Sequence, residues 1–397
     1  MKRPQGHDRG DPREVTASQE CDDNYGRRRK DSLSVAMAIT AMIFFSILLC
    51  YLIISQIFAL LRCLHIFYTR IITGQSVVGQ SDLMIFKSVP FDLLCVYLLF
   101  MIWDWGAEDQ GSHPRRFLLQ SRVWNWLADY FSTQMVLTDE LKEYSRKYMV
   151  PNDLAKTNDA EFKGLPWDRN YIVGVHPHGI FSSGCFFNFM TDAGNFRKLF
   201  PNLRPFIAAL KIHFKIPFYR DIIMAIGGVG SSRIGLRYLL DSEKCKKKGN
   251  FVIVVVGGPQ ELLEARPGRY VTHVSKRFGF FRLALQTGSP MIPCITFGET
   301  NMYHQVQNKP GSYLRRFQDL FLKLTTVPLP LFYGYGPIPY PSKLTTVVGA
   351  PIECERVENP TNEQVAAVKE KYLQKLKELF ERYKNKYDPN ADDLQIL

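Results

Sequence analysis

Residues 171–179 read Tyr-Ile-Val-Gly-Val-His-Pro-His-Gly, and this stretch decides the fold of the chain. Its first five residues predict a strand that leads directly into two imidazoles. Because α/β enzymes present reactive side chains where strands end, the pattern indicates an α/β domain with a site at this turn. Pro177 stiffens the turn, and Gly179 lets a substrate approach the backbone. Histidine takes up a proton near neutral pH, so His176 and His178 are both candidate general bases.

A second strand signal supports the same fold class. Residues 251–256 form a continuous β-branched run, which is typical of a strand buried on both faces of a sheet. Gly257 and Gly258 end the run, and Glu261 follows where a carboxylate can orient an imidazole or hold a substrate hydroxyl. Residues 291–297 and 345–348 are predicted as further strands. Loops that follow such strands, including one at Gly228, are expected to converge on one cleft.

Helical segments are predicted between and after these strands. One begins near Ser231 or Ser232 and ends at Gly249, and another covers about 275–288. Thr361 and Gln364 have the spacing of a capping box. The helix that they open carries an apolar stripe: Val365, Val368, Tyr372, Leu376, Leu379, Phe380 and Tyr383. The stripe favours packing on the domain, with docking on a membrane surface as the alternative.

Composition and charge restrict the partners. Fifty Lys and Arg residues against 38 acids give a net charge of +12. That excess suits an anionic partner: membrane phospholipid, nucleic acid or a phosphate-bearing substrate. The eight cysteines are scattered without a Cys-x-x-Cys pair, which argues against a disulfide framework and indicates a reducing environment.

A long apolar stretch decides between those partners in favour of the membrane. Residues 32–61 carry no charged side chain, and about 20 apolar residues suffice to cross a bilayer. A second apolar segment, about 83–103, contains Lys87, Pro90 and Asp92, so it suits a re-entrant or interfacial arm. Trp103 and Trp105 close it as interfacial residues do. A buried soluble helix is the alternative for the first stretch.

These segments predict three parts of the chain. Residues 1–31 are polar and are expected to be disordered. Residues 32–105 form a membrane-embedded hairpin, with a first span of about 35–61 and a second segment of about 83–103. The basic run 27–30 favours a cytosolic N-terminus, so the hairpin would return residues 106–397 to the cytosolic side.

The same residues are compatible with other chemistries. His-x-His on a strand can place two zinc ligands on one face, but no third ligand is evident nearby. Cys185 lies in an apolar run, where a buried and inert thiol is commoner than a nucleophile. The glycines of 227–230 resemble a phosphate cradle without matching a dinucleotide fingerprint or a P-loop. The residues alone therefore favour a histidine base without a metal, and they leave open which of the two imidazoles is structural.

Taken in order along the chain, the motifs resemble the second diacylglycerol acyltransferase family, which includes monoacylglycerol and wax-alcohol acyltransferases. They are Phe-Met-Ile-Trp-Asp-Trp (100–105), Trp124-Asn-Trp126 with Asp129-Tyr-Phe131, His176-Pro-His-Gly179, Val256-Gly-Gly-Pro-Gln-Glu261, Arg277-Phe-Gly-Phe280 with Arg282-Leu-Ala-Leu285, Phe297-Gly-Glu-Thr-Asn-Met-Tyr303 and Thr345-Thr-Val-Val-Gly-Ala-Pro-Ile352. Ser132 departs from the proline that the family usually has. Wider glycerolipid acyltransferases place an aspartate five positions after the histidine, where this chain has Phe181 or Ser183. Glu261 is the substitute candidate.

The resemblance implies a glycerolipid-acyltransferase-like fold, a mixed sheet flanked by helices, with 106–397 as the acyltransferase domain. It implies transfer of a fatty acyl group from acyl-CoA, as co-substrate, to the hydroxyl of diacylglycerol. His178 or His176 would act as base, Glu261 would orient it, and backbone N–H groups near Gly179 would steady the oxyanion. The candidate substrate-binding residues are Pro177, Gly179, Gly257, Gly258, Arg233, Arg237, Arg277 and Arg282, with Lys276 as a further CoA-phosphate candidate. No metal or other cofactor is expected.

Rival functions remain at this level. One rival is the same acyl transfer to monoacylglycerol or to a long-chain alcohol, because the shape of the pocket selects the acceptor. A non-catalytic lipid-binding scaffold would not need the two histidines, and a soluble zinc hydrolase would need a metal. The expected partners are acyl-CoA, glycerolipids and the bilayer, with no nucleic acid; self-association is left open. The expected location is the endoplasmic reticulum membrane with a cytosolic catalytic domain, and lipid droplets if the hairpin enters from one leaflet.

Overall fold

The computed structural model describes residues 35–44, 51, 68, 89–148, 162, 164–336 and 338–397. Its strands are β1 Gln134–Leu137, β2 Tyr171–His176, β3 Arg204–Ala209, β4 Gly228–Gly230, β5 Asn250–Val255, β6 Val271–Thr272, β7 Met291–Phe297, β8 His304–Gln305, β9 Phe332–Tyr333, β10 Thr345–Val348 and β11 Gln395–Ile396. Seven of them form one sheet in the order β1-β10-β7-β2-β5-β3-β4. Two small sheets pair β6 with β11 and β8 with β9.

The main sheet is mixed, and β2 lies at its centre. β2 runs parallel to both neighbours, with Gly174 opposite Val254 of β5 and His176 opposite Ile295 of β7. β10 is antiparallel to β7 and carries β1 beside it in parallel. Every residue of β2 is buried, which explains why its sequence is apolar without alternation. The predicted mixed α/β sheet is confirmed.

Helices cover both faces of the sheet. Those used below are α1 Val89–Trp103, α2 Arg122–Tyr130, α3 Asp139–Tyr148, α4 Tyr219–Ala225, α5 Arg233–Leu240, α6 Ser242–Cys245, α7 Pro259–Leu262, α8 Phe278–Thr287, α9 Tyr313–Thr325 and α10 Asn362–Tyr387. Because neighbouring strand residues point to opposite faces, each strand feeds two cores. Ile172 joins a cluster with Phe281 of α8 and Leu376 of α10. Val173 joins a cluster on the other face with Phe189 and Phe200.

The last helix matches its prediction. The Thr361 side chain accepts a hydrogen bond from the backbone N–H of Gln364, and the Gln364 side chain accepts one from the backbone N–H of Thr361. Val365, Tyr372 and Leu376 are fully buried, so the stripe packs on the domain. The membrane-docking alternative for that stripe is therefore wrong.

The structure corrects the helix predicted between β4 and β5 and gives the conformation of the glycines of 227–230. The helix predicted to reach Gly249 ends at Leu240, because Asp241 adopts an extended backbone and its side chain caps α6 by accepting from the N–H of Glu243 at 3.1 Å. The glycines of 227–230 are also not a phosphate loop. Gly228–Gly230 forms the edge strand β4, paired in parallel with β3.

The membrane hairpin falls largely outside the described residues. Residues 35–44 are helical, and Ala38 packs in a cluster with Leu127 and Tyr303. Most of the predicted first span, 35–61, lies outside the described residues. The second segment contains α1, which is 15 residues long. Within the part of the chain that the structure describes, no helix has the length and apolar composition that crossing a membrane requires.

Candidate active site

His176 ends β2 inside the protein core and is fully buried. Its Nδ1 lies 3.0 Å from the hydroxyl of Thr272, and its Nε2 lies 3.0 Å from the hydroxyl of Tyr372. Thr272 donates its own proton to Glu261, so it accepts from Nδ1–H of His176, and Nε2 accepts from Tyr372. Burial lowers the pKa of His176 to about 3. This imidazole is neutral, has both nitrogens bonded and has no access to a substrate.

His178 lies two residues further on, beyond a cis peptide bond between His176 and Pro177. It lines a large cavity, and its Nδ1 lies 3.4 Å from the hydroxyl of Ser182. Burial lowers the pKa of His178 to about 4, so its imidazole is neutral at pH 7. The structure thus separates the two histidines that the sequence could not tell apart.

Glu261 holds the turn that contains His178 through hydrogen bonds from the main chain. It lies in the first turn of α7, and its carboxyl accepts three hydrogen bonds: from the hydroxyl of Thr272 at 2.6 Å, from the N–H of His273 at 2.9 Å and from the N–H of His178 at 2.9 Å. Burial raises the pKa of Glu261 to about 7, although these donors oppose the rise. Glu261 therefore holds the backbone of His178, and through Thr272 it holds His176; it does not contact the His178 imidazole.

A second carboxyl, Glu299, anchors the turn from the other side. It follows β7 and accepts from the N–H of Ser183 at 2.9 Å and from the N–H of Gly184 at 2.7 Å. Burial raises its pKa to about 8. Glu299 was not among the site residues predicted from the sequence. The available signal was the one that identified Glu261: an acid immediately after a buried strand and a glycine.

Two glycines let these carboxyls approach the backbone. A Cβ on Gly179, whose φ is +64°, would lie 2.5 Å from Cγ of Glu299. A Cβ on Gly257 would lie 1.6 Å from Oε1 of Glu261. Any larger residue would displace a buried carboxyl at either position, so the glycines serve the geometry of the turn.

The cavity beside His178 has a volume of about 1100 Å³. Its wall is mainly apolar and includes Trp124, Ile180, Phe181, Phe186, Phe187 and Phe332. Three cationic side chains also line it: Arg233, Lys276 and Arg277. Arg277 donates to the carbonyl of Gly257 at 2.6 Å, which fixes that side chain beside the site. The cavity can hold a long apolar ligand that carries an anionic group.

The structure brings together only some of the predicted substrate-binding residues. Gly258, Arg233 and Arg277 line the cavity with His178, whereas Pro177, Gly179 and Gly257 lie behind it in the turn.

The other two predicted arginines do not line it. Arg282 donates to the carbonyl of Pro360 and to Asn362, at the start of α10, and Arg237 lies in the last turn of α5. The Nε of Arg237 is buried without a hydrogen-bond partner among the described residues. Spacing in the sequence could not reveal that Arg282 contacts α10 and that Arg237 does not reach the cavity.

Cys185 has no nucleophilic character in this setting. It is buried, and its thiol donates to the carbonyl of Ser182 at 3.1 Å. Burial and the neighbouring Glu299 raise its pKa well above the ordinary value. A thiol that stays protonated in the core is a packing group, so the nucleophile alternative has no support here.

Comparison with known proteins shows the family of the chain. The family model of diacylglycerol acyltransferase matches residues 83–154 and 142–397. The chain is 36% identical to 2-acylglycerol O-acyltransferase 1 of Mus musculus over 298 residues, 73% of this chain and 81% of the relative. It is 34% identical to diacylglycerol O-acyltransferase 2 of Danio rerio over 310 residues, 76% of this chain and 78% of the relative.

A third relative extends the match at a similar level. Acyl-CoA wax alcohol acyltransferase 2 of Homo sapiens is 33% identical over 338 residues, 83% of this chain and 93% of the relative. The resemblance identified from the motifs is confirmed: the chain belongs to the diacylglycerol acyltransferase family.

Proposed function

We propose that this protein transfers a fatty acyl group from acyl-CoA to the free hydroxyl of diacylglycerol, forming triacylglycerol. One observation carries the proposal. A neutral imidazole, His178, lies on the wall of an apolar cavity of about 1100 Å³, in a turn held by two buried carboxyls. Family membership, and a relative named diacylglycerol O-acyltransferase 2, support the reaction class.

His178 acts as the general base in this proposal. Its low pKa leaves the ring unprotonated at neutral pH. It takes the proton of the acceptor hydroxyl as the oxygen attacks the thioester carbonyl. The carbon–sulfur bond then breaks, and the imidazolium returns its proton to the departing CoA thiolate. A thioester is already activated, so neither a metal nor a covalent enzyme intermediate is required.

Other groups around the turn support the transition state. Backbone N–H groups near Gly179, where Ile180 and Phe181 line the cavity, are the candidate donors to the oxyanion. Arg233, Lys276 and Arg277 line the same cavity, and guanidinium and ammonium groups suit the phosphates of CoA. Glu261 and Glu299 are positioning residues, because they bond the backbone of the turn and not the reacting atoms.

We further propose that residues 32–105 attach the protein to the endoplasmic reticulum membrane. Residues 106–397 then lie in the cytosol, and the protein can also contact lipid droplets. Val96, Leu99 and Ile102 of α1 are more than half exposed, as are Trp103 and Trp105. Apolar side chains flanked by tryptophan suit the bilayer interface. Protease protection of intact microsomes is the test: cleavage of 106–397 without detergent is expected, and full protection would contradict the topology.

The reaction is tested with an acceptor panel. Membranes that contain the wild-type chain or His178→Ala receive labelled oleoyl-CoA with diacylglycerol, monoacylglycerol or a long-chain alcohol. Labelled triacylglycerol from the wild type, and its loss in His178→Ala, is the expected result. Transfer to monoacylglycerol or the alcohol instead would reassign the acceptor. No transfer to any acceptor by well-expressed wild type would favour the scaffold function.

A further inference from the structure

Helix α9, Tyr313–Thr325, presents its apolar face outward. Tyr313, Phe317, Leu320 and Leu324 are 89%, 55%, 55% and 75% exposed. They follow the spacing i, i+4, i+7, i+11, which places them on one stripe. We call these four residues the α9 face.

The side of α9 that packs on the protein holds bonded polar groups beside the half-buried apolar residues Leu314, Phe321 and Leu322. Gln318 is buried; it accepts from Asn308 at 2.6 Å and donates to the carbonyl of Leu329 at 2.8 Å. Arg315 pairs with Glu264 at 2.7 Å. A surface helix in water usually keeps its outward stripe polar, so the four exposed apolar side chains of the α9 face indicate an apolar environment outside the protein.

The chain that follows α9 links this face to the cavity. Pro328, Pro330 and Phe332 line the cavity of His178. The residues between and after them, Leu329, Leu331 and Tyr333, are exposed. Segment 328–333 is therefore a wall one residue thick, with the substrate cavity on its inner side and an apolar outer side.

The charges beside the α9 face indicate which apolar environment covers it. Arg316 and Lys323 are exposed on the helix, and neither forms an ion pair with a described residue. A second cavity of about 610 Å³ is lined by Arg266, Arg269, His304 and Lys309 and by Glu264, which pairs with Arg269 at 3.2 Å; Asn308 in its wall bonds to Gln318 of α9. An apolar stripe bordered by the exposed Arg316 and Lys323, with a mainly basic cavity nearby, matches the surface of an anionic bilayer.

We propose that the α9 face and the outer side of 328–333 rest in the interface of a bilayer that contains anionic phospholipid. This is a membrane contact separate from residues 32–105. It places the thin wall of the cavity against the bilayer, which is the source of the lipid acceptor. The bilayer contact stands on the exposed face alone; the entry route rests on the function proposed above.

Site-specific alkylation tests the contact without measuring activity. The full chain, carrying Phe317→Cys, Leu320→Cys or Asp319→Cys, is placed in nanodiscs that contain phosphatidylserine and treated with a water-soluble maleimide. Peptide mass spectrometry reads each site separately from the native cysteines. Because Asp319 is exposed on the same helix but off the stripe, it is the matched control. We expect positions 317 and 320 to react at least about tenfold more slowly than 319.

Two outcomes would overturn the contact. Equal alkylation at the three positions would place the α9 face in water. Protection of position 317 from the maleimide, together with a disulfide that joins two Phe317→Cys chains in one nanodisc, would assign the face to a second copy of the protein.

A kinetic measurement tests the entry route. Phe317→Ser combined with Leu324→Ser is expected to raise the apparent KM for long-chain diacylglycerol in the bilayer several-fold. The same variant should keep its kcat/KM for a short-chain, water-soluble acceptor. An equal change for both acceptors, or none for either, would contradict the route. A wild type inactive on both acceptors would overturn the reaction, while the alkylation result would still decide the bilayer contact.

Discussion

At the scale of single residues, the site depends on hydrogen bonds that all point the same way. The carboxyl oxygens of Glu261 accept hydrogen bonds from three donors, two of which are backbone N–H groups that can only donate. Replacing it with glutamine sets an amide N–H against one of these N–H groups. The variant Glu261→Gln therefore leaves a buried donor unsatisfied, which costs about 1–3 kcal/mol.

We expect Glu261→Gln to lower kcat at least about tenfold, because the backbone of His178 shifts, while KM for acyl-CoA changes little. Initial rates measured at varied acyl-CoA concentrations give kcat and KM separately. Glu355→Gln, at an exposed position that does not line the cavity, is the control and should match the wild type. A rise in KM at unchanged kcat would show that Glu261 holds substrate instead of the turn.

The burial of His176 predicts how the unfolding free energy depends on pH. Its folded pKa, about 3, lies below the ordinary value of 6.5, so the stability that it contributes is present above pH 6.5 and is lost as pH falls toward 3. The unfolding free energy of the wild type minus that of His176→Gln should fall by about 1.4 kcal/mol per pH unit between pH 6 and pH 4. Denaturant titrations at each pH supply the difference. A difference independent of pH would mean that His176 is not buried as a neutral ring.

At the scale of elements, the predicted CoA-binding arginines have different roles that depend on the helix in which they lie. Arg233 begins α5 and lines the cavity, whereas Arg282 of α8 binds the start of α10. We expect Arg233→Ala to raise KM for acyl-CoA up to about tenfold, which corresponds to about 1.4 kcal/mol. Arg282→Ala should leave that KM unchanged and lower the melting temperature. A raised KM in Arg282→Ala would return that residue to the CoA site.

A buried ion pair fixes the end of α1 to the domain. Asp104 lies 3.0 Å from Arg220, and both side chains are almost fully buried. Asp104→Ala would leave the buried Arg220 with only its more distant partner, Asp221 at 3.5 Å, at a cost of up to about 3–5 kcal/mol in unfolding free energy. Thermal unfolding of Glu378→Ala, which breaks the exposed pair with Lys375, should show a loss of at most about 1 kcal/mol. Similar losses in both variants would mean that Asp104 is not the anchor of α1.

At the scale of the whole molecule, the sequence was most informative where local pattern sets the structure. The apolar runs of β2, β5, β7 and β10 and the capping box at Thr361 all predicted real elements. The end of α5 was missed because one side chain, Asp241, caps the next turn. The roles of the two histidines were undecidable, since Thr272 and Tyr372 bury one ring and lie 96 and 196 positions away. Contacts of that range leave no local signal.

The proposed reaction depends on His178, and one comparison of variants tests that dependence. The purified full chain is assayed with acyl-CoA and diacylglycerol as wild type, His178→Ala and His213→Ala, because His213 also lines the cavity. We predict that kcat/KM falls by about 10²- to 10⁴-fold in His178→Ala, with an unchanged melting temperature. His213→Ala should retain most of the activity. An active His178→Ala, or equal losses in the two variants, would contradict the assignment of His178 as the base.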